Sequence, residues 1–275
     1  MEGDRYMNYS ELIQSRRSVR TFDGRSIDAD TLHKILDFAQ KADNPYGKSI
    51  EWKILSAKND GVSSAVIVGT DTFIAGKLKR SEHAEEAFGC SFEKVVLYAQ
   101  SLGVGTTWIA GTMTRAAFEK AVQLGGEEVL PCVSPLGYPA KKMSVRETMM
   151  RAGIKADTRL DFRELFFESS FDRPLSEEKT GELRLPLELV RLSPSAVNKQ
   201  PWRVVIDGDS AHFYEKHSKG YVTNGWDTQK IDMGIAIYHY ICGLEETGKK
   251  SAFVLADPDI PCENDMEYIA TVVMG

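Results

Sequence analysis

The sequence has few of the residues that hold a metal ion or crosslink a small fold. Its 275 residues include 4 cysteines and 5 histidines, with no C-x-x-C pair and no H-E-x-x-H pattern. His212 and His217 fall in one strand-like stretch, at a spacing that suits no common metal pair. Cysteines scattered in this way are typical of reduced side chains that pack inside a fold. We therefore expect no metal site and no disulfide scaffold.

Long apolar runs and an excess of positive charge are also missing. No stretch approaches the roughly 18 apolar residues that span a bilayer, and the first residues lack the basic-then-apolar order of a secretion signal. The 34 Lys and Arg against 40 Asp and Glu give a net charge of −6, which speaks against nucleic acid or a membrane as the main partner. With 42% hydrophobic residues, the composition predicts a globular, cytoplasmic protein of one large or two modest domains.

The usual nucleotide and nucleophile motifs are absent as well. There is no P-loop and no G-x-S-x-G. The glycine-rich run 103–111 follows a predicted helix and opens a predicted strand, whereas the Rossmann fingerprint follows a strand and opens a helix. Its glycines would let the backbone approach a ligand closely.

The chain contains an internal repeat. Phe22-Asp23 and Phe171-Asp172 are followed, about thirty residues later, by Trp52 and Trp202, each leading into a strand; the copies lie about 150 residues apart. A glycine-bracketed helix and a closing apolar strand follow in both copies. We interpret this as a duplication with halves 1–145 and 146–275, joined by the charged stretch 141–155.

Period and capping residues predict helices alternating with short strands, so each half should be a sheet flanked by helices, an α+β fold. The expected helices are 11–14 capped by Ser10, a helix opened by Asp28 or Asp30, 81–102 and 115–123. The expected strands include 65–68, 106–109 and 131–136.

The densest basic cluster is Arg16-Arg17-Ser18-Val19-Arg20. In an extended chain Arg16, Ser18 and Arg20 share one face, and two guanidinium groups with a hydroxyl suit a phosphate monoester. A solvated run at the C-terminus of a helix explains the same residues equally well.

A second polar segment runs from Ser193 to Trp202 and reads Ser-Pro-Ser-Ala-Val-Asn-Lys-Gln-Pro-Trp. Its amide and hydroxyl groups could bind a planar heterocycle, with Pro194 and Pro201 stiffening the loop. Serine, proline and asparagine are also ordinary turn residues, so a plain helix-to-strand connection is the alternative.

Together and in this order, these segments resemble the nitroreductase family of flavoproteins. The matching stretches are Ser15–Phe22, Leu102–Gly111, Leu136–Lys141 and Ser193–Arg203. The resemblance implies a three-layer α/β/α fold that pairs as a two-fold dimer, with non-covalent FMN at the seam.

The resemblance also implies binding roles for individual residues. Those expected at the FMN phosphate are Arg16, Arg17, Ser18 and Arg146, with Arg20 near the pyrimidine end. Those expected beside the isoalloxazine are Ile109, Ala110 and Gly111. Those expected to bind the ring from the polar loop are Ser193, Pro194, Ser195, Asn198 and Gln200.

This chain departs from the family pattern because its motifs are divided between the halves. The positions that match Arg16, Ser18 and Arg20 are Leu165, Phe167 and Ser169, and those that match Ser195, Asn198 and Gln200 are Pro45, Lys48 and Ile50. Each half keeps what the other lacks. The chain is thus expected to be a fused pseudo-dimer with one composite FMN site; a single chain would suffice, and a further homodimer stays open.

The activity that the resemblance implies is electron transfer from NADH or NADPH to a nitroaromatic, quinone or similar small-molecule acceptor. No side-chain nucleophile or general base is expected, because the flavin carries the chemistry and Arg20 tunes it. Two alternatives remain: a non-catalytic FMN-binding or storage protein, and a relative with different flavin chemistry, such as flavin fragmentation or reductive dehalogenation.

Overall fold

The computed structural model describes residues 8–223 and 225–275; the N-terminal residues considered above for a secretion signal lie outside this range. The chain forms two compact units. The first unit is Ser15–Ala156, and the second unit comprises residues 8–14 together with Asp157–Gly275. The predicted halves meet earlier, at residues 145 and 146. None of the described helices is both long and apolar enough to cross a membrane.

Helix α1 (Tyr9–Ser15) precedes the elements of the first unit. These are α2 (Ala29–Lys41), β1 (Glu51–Ser56), α3 (Ala57–Asp60), β2 (Thr72–Lys79), α4 (Ala84–Ser101), α5 (Arg115–Ala121), β3 (Glu128–Val129), β4 (Val133–Leu136) and α6 (Val145–Gly153). Strand β2 is central and pairs antiparallel with β1, β3 and β4.

Both faces of the first sheet are covered by helices. On one face Trp52 of β1 packs against Phe92 of α4, with ring centroids 5.1 Å apart. On the other face Phe73 of β2 meets Phe118 of α5 edge to face at 5.3 Å. Gly76 pairs with Trp52 across the sheet, and a Cβ there would lie 2.4 Å from the indole ring, so this position requires glycine.

The second unit is built around a five-stranded sheet. Its elements are α7 (Phe162–Leu165), β5 (Phe166–Glu168), α8 (Arg184–Leu192), β6 (Trp202–Asp207), β7 (Ser210–Lys216), β8 (Val222–Thr223), β9 (Trp226–Asp227), α9 (Thr228–Glu246), β10 (Ser251–Val254) and β11 (Met266–Met274). The strand order is β10-β11-β7-β6-β5, antiparallel except for the parallel pair β5 and β6. Phe213 of β7 packs against Tyr240 of the buried helix α9, with ring centroids 5.6 Å apart.

The two units share a common succession of elements. In the first unit the elements α2, β1, β2, α4 and β4 occur in this order, and β2 pairs with both β1 and β4. In the second unit the elements α8, β6, β7, α9 and β11 occur in the same kind of order, and β7 pairs with both β6 and β11. Trp52 pairs with Gly76 across the first sheet, and Trp202 pairs with Glu215 across the second. The helix-flanked sheets predicted from the repeat are therefore present in both units.

Most predicted helices are confirmed. Asp28 caps α2 by accepting a hydrogen bond from the Thr31 amide at 2.8 Å. Helix α4 ends just before Gly103, whose φ of 74° lies in the left-handed region that favours glycine. The predicted cap of α1 was wrong: Ser10 lies inside the helix, and the Asn8 side chain accepts the Glu11 amide at 3.0 Å.

Two predicted strands were wrong. The apolar run 65–68 is a turn in which Val68 is 54% exposed, and the strand lies further along, in β2. Lysines and Gly76 interrupt the apolar pattern of β2 and hide it from the sequence reading. Residues 106–109 are not a strand: only Thr106 and Ile109 form isolated bridges, to Ser18 and Val133. The charged stretch 141–155 contains α6, whose N-cap is Ser144.

Candidate functional site

The arginine-rich segment of the first unit is extended, the condition under which Arg16, Ser18 and Arg20 would share one face. The Val19 amide donates to the Thr106 carbonyl at 2.8 Å, and the Val68 amide donates to the Arg20 carbonyl at 3.0 Å. Val19 is buried and anchors the segment. Gly105 allows this close packing, since a Cβ there would lie 2.9 Å from the Val19 side chain. This glycine therefore serves chain packing, whereas the sequence suggested that it serves a ligand.

Arg16 is a buried guanidinium beside a buried carboxylate. Its side chain is 6% exposed, and Nε lies 3.6 Å from Oε1 of Glu93, whose side chain is fully buried. Glu93 also accepts a hydrogen bond from Trp108 Nε1 at 3.1 Å. Nε and Nη1 of Arg16 are buried and have no hydrogen-bond partner among the residues that the structure describes. Because buried donors are normally hydrogen-bonded, an anion is the kind of group to which these nitrogens would donate.

A second buried glutamate, Glu147, lies near the other two arginines, Arg17 and Arg20. Arg17 Nη1 donates to Oε1 of Glu147 at 3.2 Å, and the Glu147 side chain is fully buried. Burial lowers the pKa of the Arg20 guanidinium from its ordinary value; Glu147 opposes this shift and Arg151 adds to it. Because a guanidinium group keeps its proton in proteins even when it is buried, Arg20 remains charged near neutrality. The explanation by a solvated surface run therefore does not fit this segment.

The remaining candidates of the first unit differ in exposure. Ser18 is half-buried and forms an isolated bridge with Thr106. Ile109 is buried, and its backbone is hydrogen-bonded to that of Val133. Ala110 is half-buried, whereas Gly111 is exposed and has open space where a Cβ would stand. Arg146 is exposed, and its Nη1 donates to the Ala65 carbonyl at 2.6 Å.

The predicted ring-binding loop of the second unit connects α8 to β6. Ser193 at its start is fully buried, and its hydroxyl is hydrogen-bonded with Nδ1 of the buried His239 at 2.9 Å. Pro194 is half-buried. Ser195 accepts the Gln200 amide on its hydroxyl oxygen at 2.9 Å, which closes the loop upon itself.

The two amide side chains of this loop are engaged within their own unit. Nδ2 of Asn198 donates to the Thr158 carbonyl at 3.0 Å. Oε1 of Gln200 accepts the Leu160 amide at 2.9 Å, and Gln200 is 4% exposed. These contacts fix the loop against the segment that precedes α7. Whether these side chains also bind a flavin ring stays a prediction.

The mirrored positions are structurally different, as their residue types imply. Leu165 is fully buried and Phe167 is 9% exposed, so both belong to the core of the second unit. Ser169 donates its hydroxyl to Asp207 at 3.2 Å. In the first unit, the Asn44 side chain donates to the Lys48 carbonyl at 2.8 Å and accepts the Lys48 amide at 3.1 Å.

Three acidic residues were missed by the sequence reading. Glu93 and Glu147 pair with the arginines, and Asp232 of α9 accepts the Ala196 amide in the loop. Glu93 and Asp232 stand within long, otherwise largely buried helices, where a carboxylate needs a partner. The sequence signal that could have revealed Glu93 and Asp232 is a charged residue at a position where the helical pattern predicts a core residue.

The cysteines and histidines lie as follows. None of the four cysteines is in a disulfide; Cys90, Cys132 and Cys242 are buried, as expected for packing residues, whereas Cys262 is exposed. His217 lies with Glu215 and Asp227 in a group whose ligand atoms are within 4.8 Å of one another. Its Nδ1 is 2.8 Å from Glu215 and its Nε2 is 3.2 Å from Glu267, so both ring nitrogens already face carboxylates. The prediction that the chain binds no metal stays a prediction.

Comparison with known proteins identifies the family. The family model described as "Putative TM nitroreductase" matches residues 8–243. A solved structure from Thermotoga maritima, described as a putative nitroreductase, is similar over 100% of this chain and 96% of its own, with 18% identity and a TM-score of 0.63. No curated protein matches the chain.

Other solved structures align with part of the chain. A nitroreductase family protein from Clostridium difficile 630 aligns over 57% of this chain and 96% of its own, with 18% identity and a TM-score of 0.46. An FMN-dependent nitroreductase from Clostridium difficile R20291 aligns over 48% and 88%, with 17% identity and a TM-score of 0.40.

The similarity to the Thermotoga maritima structure over the whole chain gives this protein, with its helix-flanked sheets in both units, a nitroreductase-type fold. The chain belongs to the nitroreductase family described by the matching model, which covers most of its length.

Proposed function

We propose that this protein is an FMN-dependent oxidoreductase that transfers electrons from NADH or NADPH to a nitroaromatic, a quinone or a similar small acceptor. Family membership supports the general class of activity. The observation that carries the proposal is the buried guanidinium of Arg16: neither Nε nor Nη1 has a hydrogen-bond partner among the described residues, and Nε faces only the Glu93 carboxylate, at 3.6 Å. A terminal phosphate would supply acceptors of the right charge.

The residues that would hold FMN come from both units. Arg16, Arg17, Ser18 and Arg146 would bind the phosphate, and Ile109, Ala110 and Gly111 would lie beside the ring. The loop residues Ser193, Pro194, Ser195, Asn198 and Gln200 would complete the site. This division rests on residue content: the arginine cluster 16–20 occurs only in the first unit, and the polar loop only in the second. One FMN per chain is therefore proposed.

Bound FMN would supply the redox chemistry, and the protein supplies binding, orientation and electrostatics. Arg20 keeps its positive charge in a largely buried position, where a charge acts more strongly than it does in water. Placed near the pyrimidine end of the ring, Arg20 would stabilise negative charge there. Glu93 and Glu147 hold the neighbouring arginines in fixed orientations. None of these roles requires a side-chain nucleophile or general base.

Cofactor identity is tested on the purified protein. Its absorption spectrum should show a flavin, and heat should release a chromophore with the mass of FMN. FAD is not expected, because the arginine segment suits a terminal phosphate and the sequence lacks a Rossmann element. Colourless protein that FMN does not reconstitute contradicts the proposal.

Activity is tested by anaerobic mixing with NADH or NADPH. Either donor should bleach the flavin within minutes, and a nitroaromatic or quinone should then restore its absorbance. Bleaching by dithionite alone favours a storage protein. Product analysis identifies flavin fragmentation or reductive dehalogenation if the flavin is reduced but these acceptors are not.

A further inference from the structure

The loop between α8 and β6 has an unusual backbone. Val197, Asn198 and Gln200 have φ values of 52°, 57° and 52°, in the left-handed region. Side chains other than glycine seldom adopt this region, and a β-branched valine is an outlier there. Val197 is also 57% exposed, so apolar burial of its side chain does not hold it in this conformation. Contacts elsewhere in the loop must stabilise it.

The Asp232 carboxylate makes such a contact at the centre of the loop. Both of its oxygens accept the Ala196 amide, at 3.1 and 2.9 Å. Asp232 lies on α9, a 19-residue helix with most of its residues buried, so the carboxylate is attached to a rigid element. Ala196 directly precedes Val197, the first residue with positive φ. The contact therefore fixes the chain where the unusual backbone begins.

Asp232 stands in surroundings that disfavour a carboxylate. It is 5% exposed, and Glu215 and Asp227 are 0% and 9% exposed. Burial raises the pKa of the Asp232 carboxyl well above its ordinary value; Glu215 and Asp227 raise it further, and the Ala196 hydrogen bond opposes the shift. A buried acidic group among other acids lowers stability unless it is compensated. A role in the loop accounts for its presence better than overall stability does.

We propose that Asp232 is a positioning residue that holds the 195–200 loop in its flavin-binding conformation through the Ala196 amide. This inference rests on the proposed function, because the loop is the predicted ring-binding segment. The aspartate supplies a hydrogen-bond acceptor, and its negative charge is not required. A neutral asparagine, which keeps one carbonyl acceptor in the same place, should therefore substitute for it.

The experiment compares variants of the full chain. Asp232→Ala and Asp232→Leu remove the acceptor, and leucine fills a similar volume without a buried charge. Asp232→Asn keeps an acceptor, and Asp172→Ala is the exposed matched control. Titration gives the FMN dissociation constant of each variant. Hydrogen exchange of the Ala196 amide, followed by NMR without FMN, reports the contact independently of the cofactor.

Both variants without an acceptor should bind FMN about tenfold more weakly and exchange the Ala196 amide at least about tenfold faster. Asp232→Asn and Asp172→Ala should stay within about threefold of the unchanged protein in both measurements. If Asp232→Ala does not fold, the measurements on Asp232→Leu alone decide whether the acceptor is needed. Unchanged affinity or unchanged exchange without the acceptor overturns the inference, and so does failure of Asp232→Asn to restore both. If the protein without any substitution binds no FMN, the proposed function is overturned as well. If that protein binds FMN but the Ala196 amide of the variants does not exchange as expected, only the inference about Asp232 is overturned.

Discussion

The segments 16–20 of the first unit and 165–169 of the second unit, which the predicted duplication makes counterparts, have opposite chemistry. Arg16 and Arg17 approach buried carboxylates, and two Arg16 nitrogens are unsatisfied by the described residues. Leu165 and Phe167 are core residues. The first segment has groups that suit an anion, and the second contributes apolar packing to the core of its unit. We interpret the pair as one retained and one lost phosphate site.

The loops that precede Trp52 and Trp202 differ in a similar way. The loop of the second unit has three non-glycine residues with positive φ and is fixed by Ser195, Gln200 and Asp232. Its counterpart in the first unit is a turn held by the Asn44 side chain, with no non-glycine residue of positive φ among residues 44–50. Unusual backbone is often kept where it serves a function. Only the loop of the second unit has this mark of a binding segment.

The largest effect is expected on the apolar side of the comparison. Leu165→Ala opens a cavity at a fully buried position and should lower the free energy of unfolding by about 2–5 kcal/mol. FMN bound per folded chain should not change, because Leu165 is not part of the proposed site. Chemical denaturation and flavin absorbance measure the two quantities. Loss of FMN from folded Leu165→Ala protein would show that the mirrored segment also binds the cofactor.

Arg16→Ala tests the cationic side. Loss of a charge-assisted hydrogen bond should weaken FMN binding by about 1.5–3 kcal/mol, roughly a 10- to 150-fold rise in the dissociation constant. Arg173→Ala is the matched control, because Arg173 is a largely exposed arginine that is paired with Glu168. Equal FMN affinity in the two variants would remove Arg16 from the phosphate site. A thermal melt of each variant separates affinity from folding, since Glu93 loses its cation in Arg16→Ala.

Asn198→Ala should weaken FMN binding by about 1 kcal/mol, the usual contribution of a neutral hydrogen bond. Part of this loss can arise through the Thr158 contact of Asn198, so hydrogen exchange of the loop amides should accompany the titration. An affinity equal to that of the unchanged protein would contradict a role for this side chain.

Lys48→Ala, at the mirrored position, should have the smallest effect. Lys48 is held through its backbone by Asn44, and that contact survives the substitution. FMN affinity and stoichiometry should both stay unchanged. A clear loss of FMN would indicate that the loop of the first unit has kept a binding role.

The sequence predicted the elements that follow local rules. The Asp28 cap, the glycine after α4 and the strands at Trp52 and Trp202 were all readable, because capping, helix termination and apolar runs act over a few residues. Strand β2 was missed because Gly76 and the lysines break its apolar pattern. Glycine is required there by Trp52, a residue distant in sequence, which no local pattern shows.

The sequence identified the candidate residues, but it did not predict which buried residues they contact. The arginine cluster and the polar loop were found from composition and from the family resemblance. Their buried partners Glu93, Glu147 and Asp232 are far from them in sequence, and only the fold brings them together. The roles inferred for Ser193 and Gln200 illustrate the limit, since both side chains are buried and bonded within their own unit.

The central claim is that one complete FMN site remains after the duplication. Titration of the flavin-free full-length chain with FMN, followed by fluorescence quenching at protein concentrations well above the dissociation constant, measures the stoichiometry directly. The account predicts one FMN per chain, with Arg16→Ala weakening that single binding event. Two equivalent FMN molecules per chain would contradict it, as would binding that Arg16→Ala leaves untouched.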